Sequence, residues 1–142
     1  MFIAETKIRV HYALTDQMGV VYHGRYAEFF EIGRTDSLRQ LGFTYKDIEK
    51  SGIITPIVEM NMRFLQPARY DDLLTVKTIL NTLPADHRIV FDGEIFNEKG
   101  DKLCVSQITL YYVNAKDMSR AQMPEHWRDA LLPYFKPEST AG

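Results

Sequence analysis

The chain has 142 residues, of which 45% are hydrophobic and 25% are charged, the balance of an ordinary globular protein rather than a disordered one. Its 17 Lys and Arg residues against 19 Asp and Glu residues leave a net charge of −2, which gives no overall reason to expect nucleic acid or an anionic membrane as a partner. The single Cys104 cannot form an intramolecular disulfide, and no stretch approaches the roughly 20 apolar residues that would span a bilayer. The sequence therefore predicts one domain over residues 1–135, a flexible tail over residues 136–142, and a cytoplasmic location without membrane insertion.

The first predicted element is a strand over residues 6–12. Ile8, Val10 and Tyr12 alternate with polar side chains and would share one face, as a half-buried strand requires.

The strongest helical pattern covers residues 24–41. Its apolar stripe consists of Tyr26, Phe29, Phe30, Gly33, Ser37 and Leu41. Gly42 is expected to end the helix, because glycine adopts the left-handed conformation without steric cost. Because Gly33 and Ser37 are small and lie in the middle of the stripe, they predict that a broad surface such as a curved sheet packs closely against the helix.

Strand patterns dominate the rest of the chain. They fall over residues 58–64, 74–80, 89–95 and 102–113. Gly100 is predicted to supply a positive φ in a hairpin turn, and a short helix is predicted from Glu125 to Phe135. Since most connections between the strands are short, the sheet should be mainly antiparallel. The sequence thus predicts an α+β fold in which one sheet lies over one long helix.

The candidate chemistry lies between the first strand and the long helix. Asp16 is in a loop with Gly19, and His23 stands seven residues after Asp16, just before the helix. The first N–H groups of a helix have no partner within it and carry a partial positive charge, so they could polarise a carbonyl oxygen. Taken singly, Asp16 also fits an Asx-type turn, His23 a helix cap or a core histidine, and Tyr12 ordinary sheet packing.

Taken together, these residues resemble a known motif. The stretch DQMGVVYHGRY, from Asp16 to Tyr26, is similar to the active-site motif D-x-x-G-[VI]-V-x-[HY]-x-x-Y of the 4-hydroxybenzoyl-CoA thioesterase family of hotdog-fold proteins. The histidine brings it closest to the branch of small bacterial acyl-CoA thioesterases that includes the Tol-Pal-associated enzymes. A second stretch, MRFLQPARYDDLLTV from Met62 to Val76, resembles a strand–turn–strand segment of the family. The resemblance covers about residues 5–115.

The resemblance implies a hotdog fold, with a curved antiparallel sheet around a central helix, and a homodimer or homotetramer with its active sites between subunits. It implies hydrolysis of acyl-CoA with Asp16 as the nucleophile or the general base. The backbone N–H of His23 would polarise the thioester carbonyl, and its side chain would assist catalysis or hold the acyl group. Tyr12 and Gly19 are candidate substrate-binding residues. No cofactor and no metal are expected.

Several alternatives stay open. His87 and Arg88, at the start of a predicted strand, are candidates to bind the phosphates of CoA, or else they form a solvated hairpin end. Many relatives have acidic residues where this chain has Ala13 and Leu14, which suggests an altered substrate or altered loop packing.

Three other functions compete with the thioesterase. A hotdog enoyl-CoA hydratase also uses Asp and His, but its loop resembles D-x-N-P-x-H, which does not occur here. A metal site formed by His11, Asp16 and His23 would lack the usual spacing of metal ligands. A non-catalytic acyl-thioester binding protein on the same fold is the alternative from another functional class.

Overall fold

The computed structural model describes residues 1–135, so the predicted tail lies outside the described residues. The helices are α1 (Tyr26–Gln40), α2 (Tyr45–Lys50) and α3 (Glu125–Leu131). The strands are β1 (Phe2–Arg9), β2 (Ile53–Ile54), β3 (Ile57–Phe64), β4 (Leu73–Leu80), β5 (Arg88–Phe96), β6 (Lys102–Tyr111) and β7 (Val113–Asn114). None of the helices within residues 1–135 is long and apolar enough to cross a membrane.

Five strands form the main sheet in the order β1-β4-β5-β6-β3, and every neighbouring pair is antiparallel. A second, two-stranded sheet pairs β2 with β7. Gly100 has a φ of +83° in the turn between β5 and β6, as predicted. The antiparallel α+β layout expected from the short connections is therefore confirmed.

Helix α1 packs closely against the main sheet along the predicted stripe. At Gly33, a Cβ atom would lie only 2.8 Å from the side chains of Val76 and Thr78 on β4. The ring of Phe30 lies equally close to Gly93 on β5, where a Cβ atom would be 2.6 Å from it. The prediction that a broad sheet presses on the small residues of the helix is confirmed.

The same face of α1 carries a buried charge that the apolar stripe did not include. Arg34 is 3% exposed, and its Nε and Nη1 atoms have no hydrogen-bond partner among residues 1–135. Burial raises the pKa of the Tyr45 phenol on α2, and the positive charge of Arg34 opposes that rise. Arg34 on α1 therefore lies close to α2.

Several elements differ from the sequence-based expectation. The first strand ends at Arg9, not at residue 12, because its partner β4 begins at Leu73 and Arg9 pairs with that residue. Tyr12 lies beyond the sheet in a 3₁₀ turn and is 78% exposed, so its predicted place in the strand on one face with Ile8 and Val10 was wrong. The predicted long strand over residues 102–113 is split, because β7 leaves the main sheet to pair with β2. Helix α2 was not predicted.

The two edges of the main sheet, β1 and β3, differ in polarity. Along β1 the exposed side chains are charged after Ile3: Glu5, Lys7 and Arg9. Along β3, Ile57, Val58 and Phe64 are each between 44% and 49% exposed, although Glu59, Asn61 and Arg63 between them are exposed as well. Charged side chains blunt an edge, whereas exposed apolar side chains such as those at the two ends of β3 invite contact with another chain.

Candidate active site

Asp16 is held by its own loop. Its backbone N–H donates to the carbonyl oxygen of Val20 (2.8 Å), and Gly19, with a φ of +78°, donates to the Asp16 carbonyl (3.1 Å). The side-chain Oδ1 accepts the N–H groups of Met18 (2.8 Å) and Val20 (3.3 Å). Asp16 thus forms the Asx-type turn that its sequence allows, yet the residue is exposed and Oδ2 accepts no hydrogen bond from residues 1–135.

The Asp16 loop is fastened to the segment that follows β3. Val21 donates its N–H to the carbonyl of Ala68 (2.8 Å), Val20 forms an isolated antiparallel bridge with Arg69, and Tyr70 donates to Gly19 (3.3 Å). Gly19 therefore shapes and anchors the loop through its backbone. The position of Asp16 therefore depends on contacts with a distant segment of the chain and not only on its own loop.

His23 begins the helical run that continues into α1. Residues His23–Arg25 form a 3₁₀ turn that leads directly into the first residue of α1, Tyr26. None of the hydrogen bonds among residues 1–135 uses the backbone N–H of His23 or Gly24, as is usual for the first donors of a helix. These donors, together with the positive end of the helix dipole, can polarise a carbonyl oxygen.

An open cleft of about 260 Å³ lies beside His23. It is lined by Val21, His23, Tyr26, Phe64, Leu65, Gln66 and Pro67. The Phe64 ring meets His23 at 6.2 Å and Tyr26 at 5.3 Å between centroids, both nearly edge to face. The lining is mainly apolar and aromatic, so the cleft suits an acyl group better than a charged ligand.

The predicted site residues do not all meet within one chain. Asp16 and His23 share no hydrogen bond, and Tyr12 contacts the ring of Tyr70 (5.8 Å, nearly perpendicular) rather than the cleft. His11, Asp16 and His23 form no group of three potential metal ligands in the described part of the chain.

His87 and Arg88 lie at the other end of the sheet. Arg88 pairs with Tyr111 on β6, whereas Phe64 of the cleft pairs with Cys104, seven residues away or about 23 Å at ~3.3 Å per residue. The Arg88 guanidinium is 2.9 Å from the Asp86 carboxylate; their hydrogen bond raises the pKa of Arg88 and lowers that of Asp86. Arg88 also lines a groove of about 530 Å³ together with Val58 and Tyr111.

Comparisons with known proteins agree with this geometry. The model of the thioesterase superfamily matches residues 18–104, more than half of the chain. The protein YneP of Bacillus subtilis is 37% identical over 101 residues, 71% of this chain and 72% of YneP. The acyl-CoA thioester hydrolase YbgC of Escherichia coli is 29% identical over 118 residues, 83% of this chain and 87% of YbgC. The crystal structure of a DHNA-CoA thioesterase from Staphylococcus aureus superimposes with a TM-score of 0.86 at 34% identity, covering 96% of this chain and 97% of that one.

An antiparallel sheet packed around one long helix is the hotdog fold, the fold of the thioesterase structure that this chain matches. This chain belongs to the thioesterase superfamily. The predicted fold, family and enzyme class are confirmed at this level.

Among the cleft residues that sequence reasoning missed are two aromatic ones. Phe64 was assigned only to a strand pattern, but at the end of β3 its ring lies against His23. Tyr26 was placed in the apolar stripe. Helical periodicity cannot predict that its hydroxyl accepts a hydrogen bond from the N–H of Ala68 (3.0 Å). The last position of the motif could have identified Tyr26.

Proposed function

We propose that this thioesterase hydrolyses acyl-CoA to a carboxylic acid and CoA with Asp16 as its catalytic carboxylate. The observation that carries the proposal is the way in which this group is held. Two backbone N–H groups fix Oδ1, whereas Oδ2, on an exposed loop, accepts no hydrogen bond from residues 1–135. One oxygen can therefore orient the carboxylate while the other reacts. The names of the relatives, an acyl-CoA thioester hydrolase and a DHNA-CoA thioesterase, support CoA thioesters as the substrate class.

Asp16 can act by either of two routes. As a nucleophile, Oδ2 bonds to the thioester carbon, the C–S bond breaks, and CoA leaves as its thiolate; water then hydrolyses the mixed anhydride. As a general base, Oδ2 takes a proton from the water that attacks the same carbon. In both routes negative charge develops on the carbonyl oxygen, and the N–H of His23 is the proposed donor to it.

The proposal includes a homodimer, or a dimer of dimers, with each site between subunits. The apolar start of β3 supports it, because Ile57 and Val58 are exposed in the single chain. The cleft beside His23 adjoins the same strand through Phe64 and is open. A second copy that covers this edge would also enclose the cleft and exclude water from the reacting atoms.

His87 and Arg88 are proposed to bind the phosphates of CoA from the groove at the far end of β3. Arg88 would exchange the carboxylate of Asp86 for a phosphate, which a guanidinium also binds in a bidentate manner. Two β3 edges related by a twofold axis run antiparallel, so the groove of one copy would approach the cleft of the other. Tyr12, on the exposed 3₁₀ turn beside the Asp16 loop, is proposed to contact the substrate there.

The test is hydrolysis of short, long and aromatic acyl-CoA by the protein and by Asp16→Asn. The substitution keeps the shape but removes the charge, so kcat should fall at least ~10²-fold, with little change in KM. Asp117→Asn is the matched control, because its Oδ1 likewise accepts the N–H of a residue two positions on (3.0 Å) in an exposed turn. The control should keep its rate. EDTA should leave the rate unchanged, because the proposed chemistry needs no metal or cofactor. The proposed location of the enzyme is the cytoplasm.

Full turnover by Asp16→Asn would remove Asp16 from the mechanism. If the unmodified protein binds acyl-CoA but hydrolyses none of the three classes, the non-catalytic binding protein becomes the better proposal.

A further inference from the structure

Tyr26 makes a contact that its place in the helix does not require. It is the first residue of α1, its side chain is 3% exposed, and its hydroxyl accepts the N–H of Ala68 at 3.0 Å. Ala68 is fully buried, so water cannot replace this acceptor. Burial raises the pKa of Tyr26, and the phenol therefore stays neutral.

The segment that Tyr26 holds is the one to which the Asp16 loop is fastened. The carbonyl of Ala68 accepts the N–H of Val21 (2.8 Å), and the next residue, Arg69, bridges to Val20. Val20 in turn accepts the N–H of Asp16 (2.8 Å). An unbroken series of hydrogen bonds thus runs from the helix, through Ala68, to the loop that carries the carboxylate.

We infer that Tyr26 is a positioning residue that fixes the Asp16 carboxylate relative to the N–H of His23. The two reacting parts stand on different elements and share no hydrogen bond, so their separation depends on what joins those elements. Tyr26 is rigidly linked to His23, three residues earlier in the same helical run, and is bonded to the support of the Asp16 loop. This inference rests on the proposed function, because it assigns Tyr26 a role through Asp16.

The test variant is Tyr26→Phe, which removes one oxygen and keeps the ring packed against Phe29 (5.8 Å) and Phe64 (5.3 Å). A misplacement of about 1 Å can cost ~10²-fold in rate, so we expect kcat per folded protein to fall about 10- to 100-fold, with KM nearly constant. Tyr45→Phe is the control: it also removes a phenol hydroxyl whose pKa is raised by burial, but Tyr45 begins α2 and does not line the cleft. The control should keep kcat.

A double-mutant cycle with Asp16→Asn separates positioning from a general loss of folded protein. If Tyr26 acts through Asp16, Tyr26→Phe should not lower the residual rate of Asp16→Asn any further. A purely structural defect, or a direct contact of Tyr26 with substrate, would lower that rate by the same factor in both backgrounds and would overturn the inference. An unchanged kcat in folded Tyr26→Phe would overturn it as well.

Amide hydrogen exchange provides a readout that does not depend on turnover. We expect the amides of Ala68 and Val21 to exchange faster in Tyr26→Phe and to be unchanged in Tyr45→Phe. Unchanged exchange at both amides in Tyr26→Phe would show that Tyr26 does not hold the loop, and the inference would fail while the proposed function stood. If the unmodified protein lacks thioesterase activity, the proposed function fails first and the inference fails with it.

Discussion

The layer formed by α1 and the main sheet is fully packed within one chain. The mouth of the helix, meaning the N-terminal end of α1 with the Asp16 loop and the cleft beside His23, is not. In the layer, Gly33 has no room for even a Cβ atom, and the stripe around it is buried. At the start of the helix, Phe64 is 49% exposed, Asp16 is exposed, and the carboxylate shares no hydrogen bond with His23. One chain thus completes the layer, whereas the proposed site is of the kind that a second copy would complete.

The largest effect should come from a charge on the β3 edge. Ile57→Lys places an ammonium group where the second copy is expected to pack, so the dimer dissociation constant should rise at least about tenfold, which corresponds to ~1.4 kcal/mol. Turnover should fall with the dimer fraction, because each site would lose its cover. Light scattering and acyl-CoA hydrolysis at matched concentrations measure both.

The opposite edge offers the control for this variant. Ile3 on β1 has the same exposure as Ile57, 44%, and stands on the edge that is otherwise charged. Ile3→Lys should leave both association and turnover unchanged. A fully active monomer of the unmodified protein, or equal effects of the two lysines, would contradict a site between subunits that meet at β3.

An effect on stability rather than on association should follow from filling the space at Gly33. Gly33→Leu drives a side chain into Val76 and Thr78, so overpacking should cost about 1–3 kcal/mol or more. For a chain of this size each kcal/mol should lower Tm by roughly 2–4 °C, measured by thermal unfolding. Arg39→Leu, on the exposed side of α1, is the control and should change Tm little. A higher Tm for Gly33→Leu would mean that the sheet does not press on the helix.

The layer could be predicted from the sequence because its rules are periodic. Apolar residues at every third or fourth position predicted the α1 stripe, and apolar residues at every second position predicted β4 and β5. The end of β1 could not be predicted in this way, since it depends on where its partner β4 begins. Arg34 was missed because periodicity places a residue on a face but does not show that a guanidinium can be buried beside Tyr45. Helix α2 carried a readable signal in the capping box of Thr44 and Asp47.

The mouth could be predicted only through resemblance to a family. The spacing of Asp16, Gly19 and His23 identified the loop and the helix start, and Gly19 has the positive φ that such a turn needs. The spacing could not show that the Asp16 loop is anchored on Ala68, more than forty residues away, or that Phe64 lines the cleft. These contacts join distant parts of the chain and have no local pattern.

The smallest expected effect is that of His23→Ala. The proposed donor at this position is the backbone N–H, which the substitution keeps, so the loss in kcat should stay well below the ~10²-fold expected for Asp16→Asn. The imidazole ring contacts Tyr22 (4.3 Å) and Phe64 (6.2 Å) and forms one wall of the cleft, so its removal should raise KM more than it lowers kcat. His126→Ala is the control, because this exposed histidine also lies against an aromatic ring, that of Phe43 (5.3 Å), but away from the cleft. It should change neither constant. A loss of kcat in His23→Ala as large as that in Asp16→Asn would mean that the imidazole takes part in the chemical step.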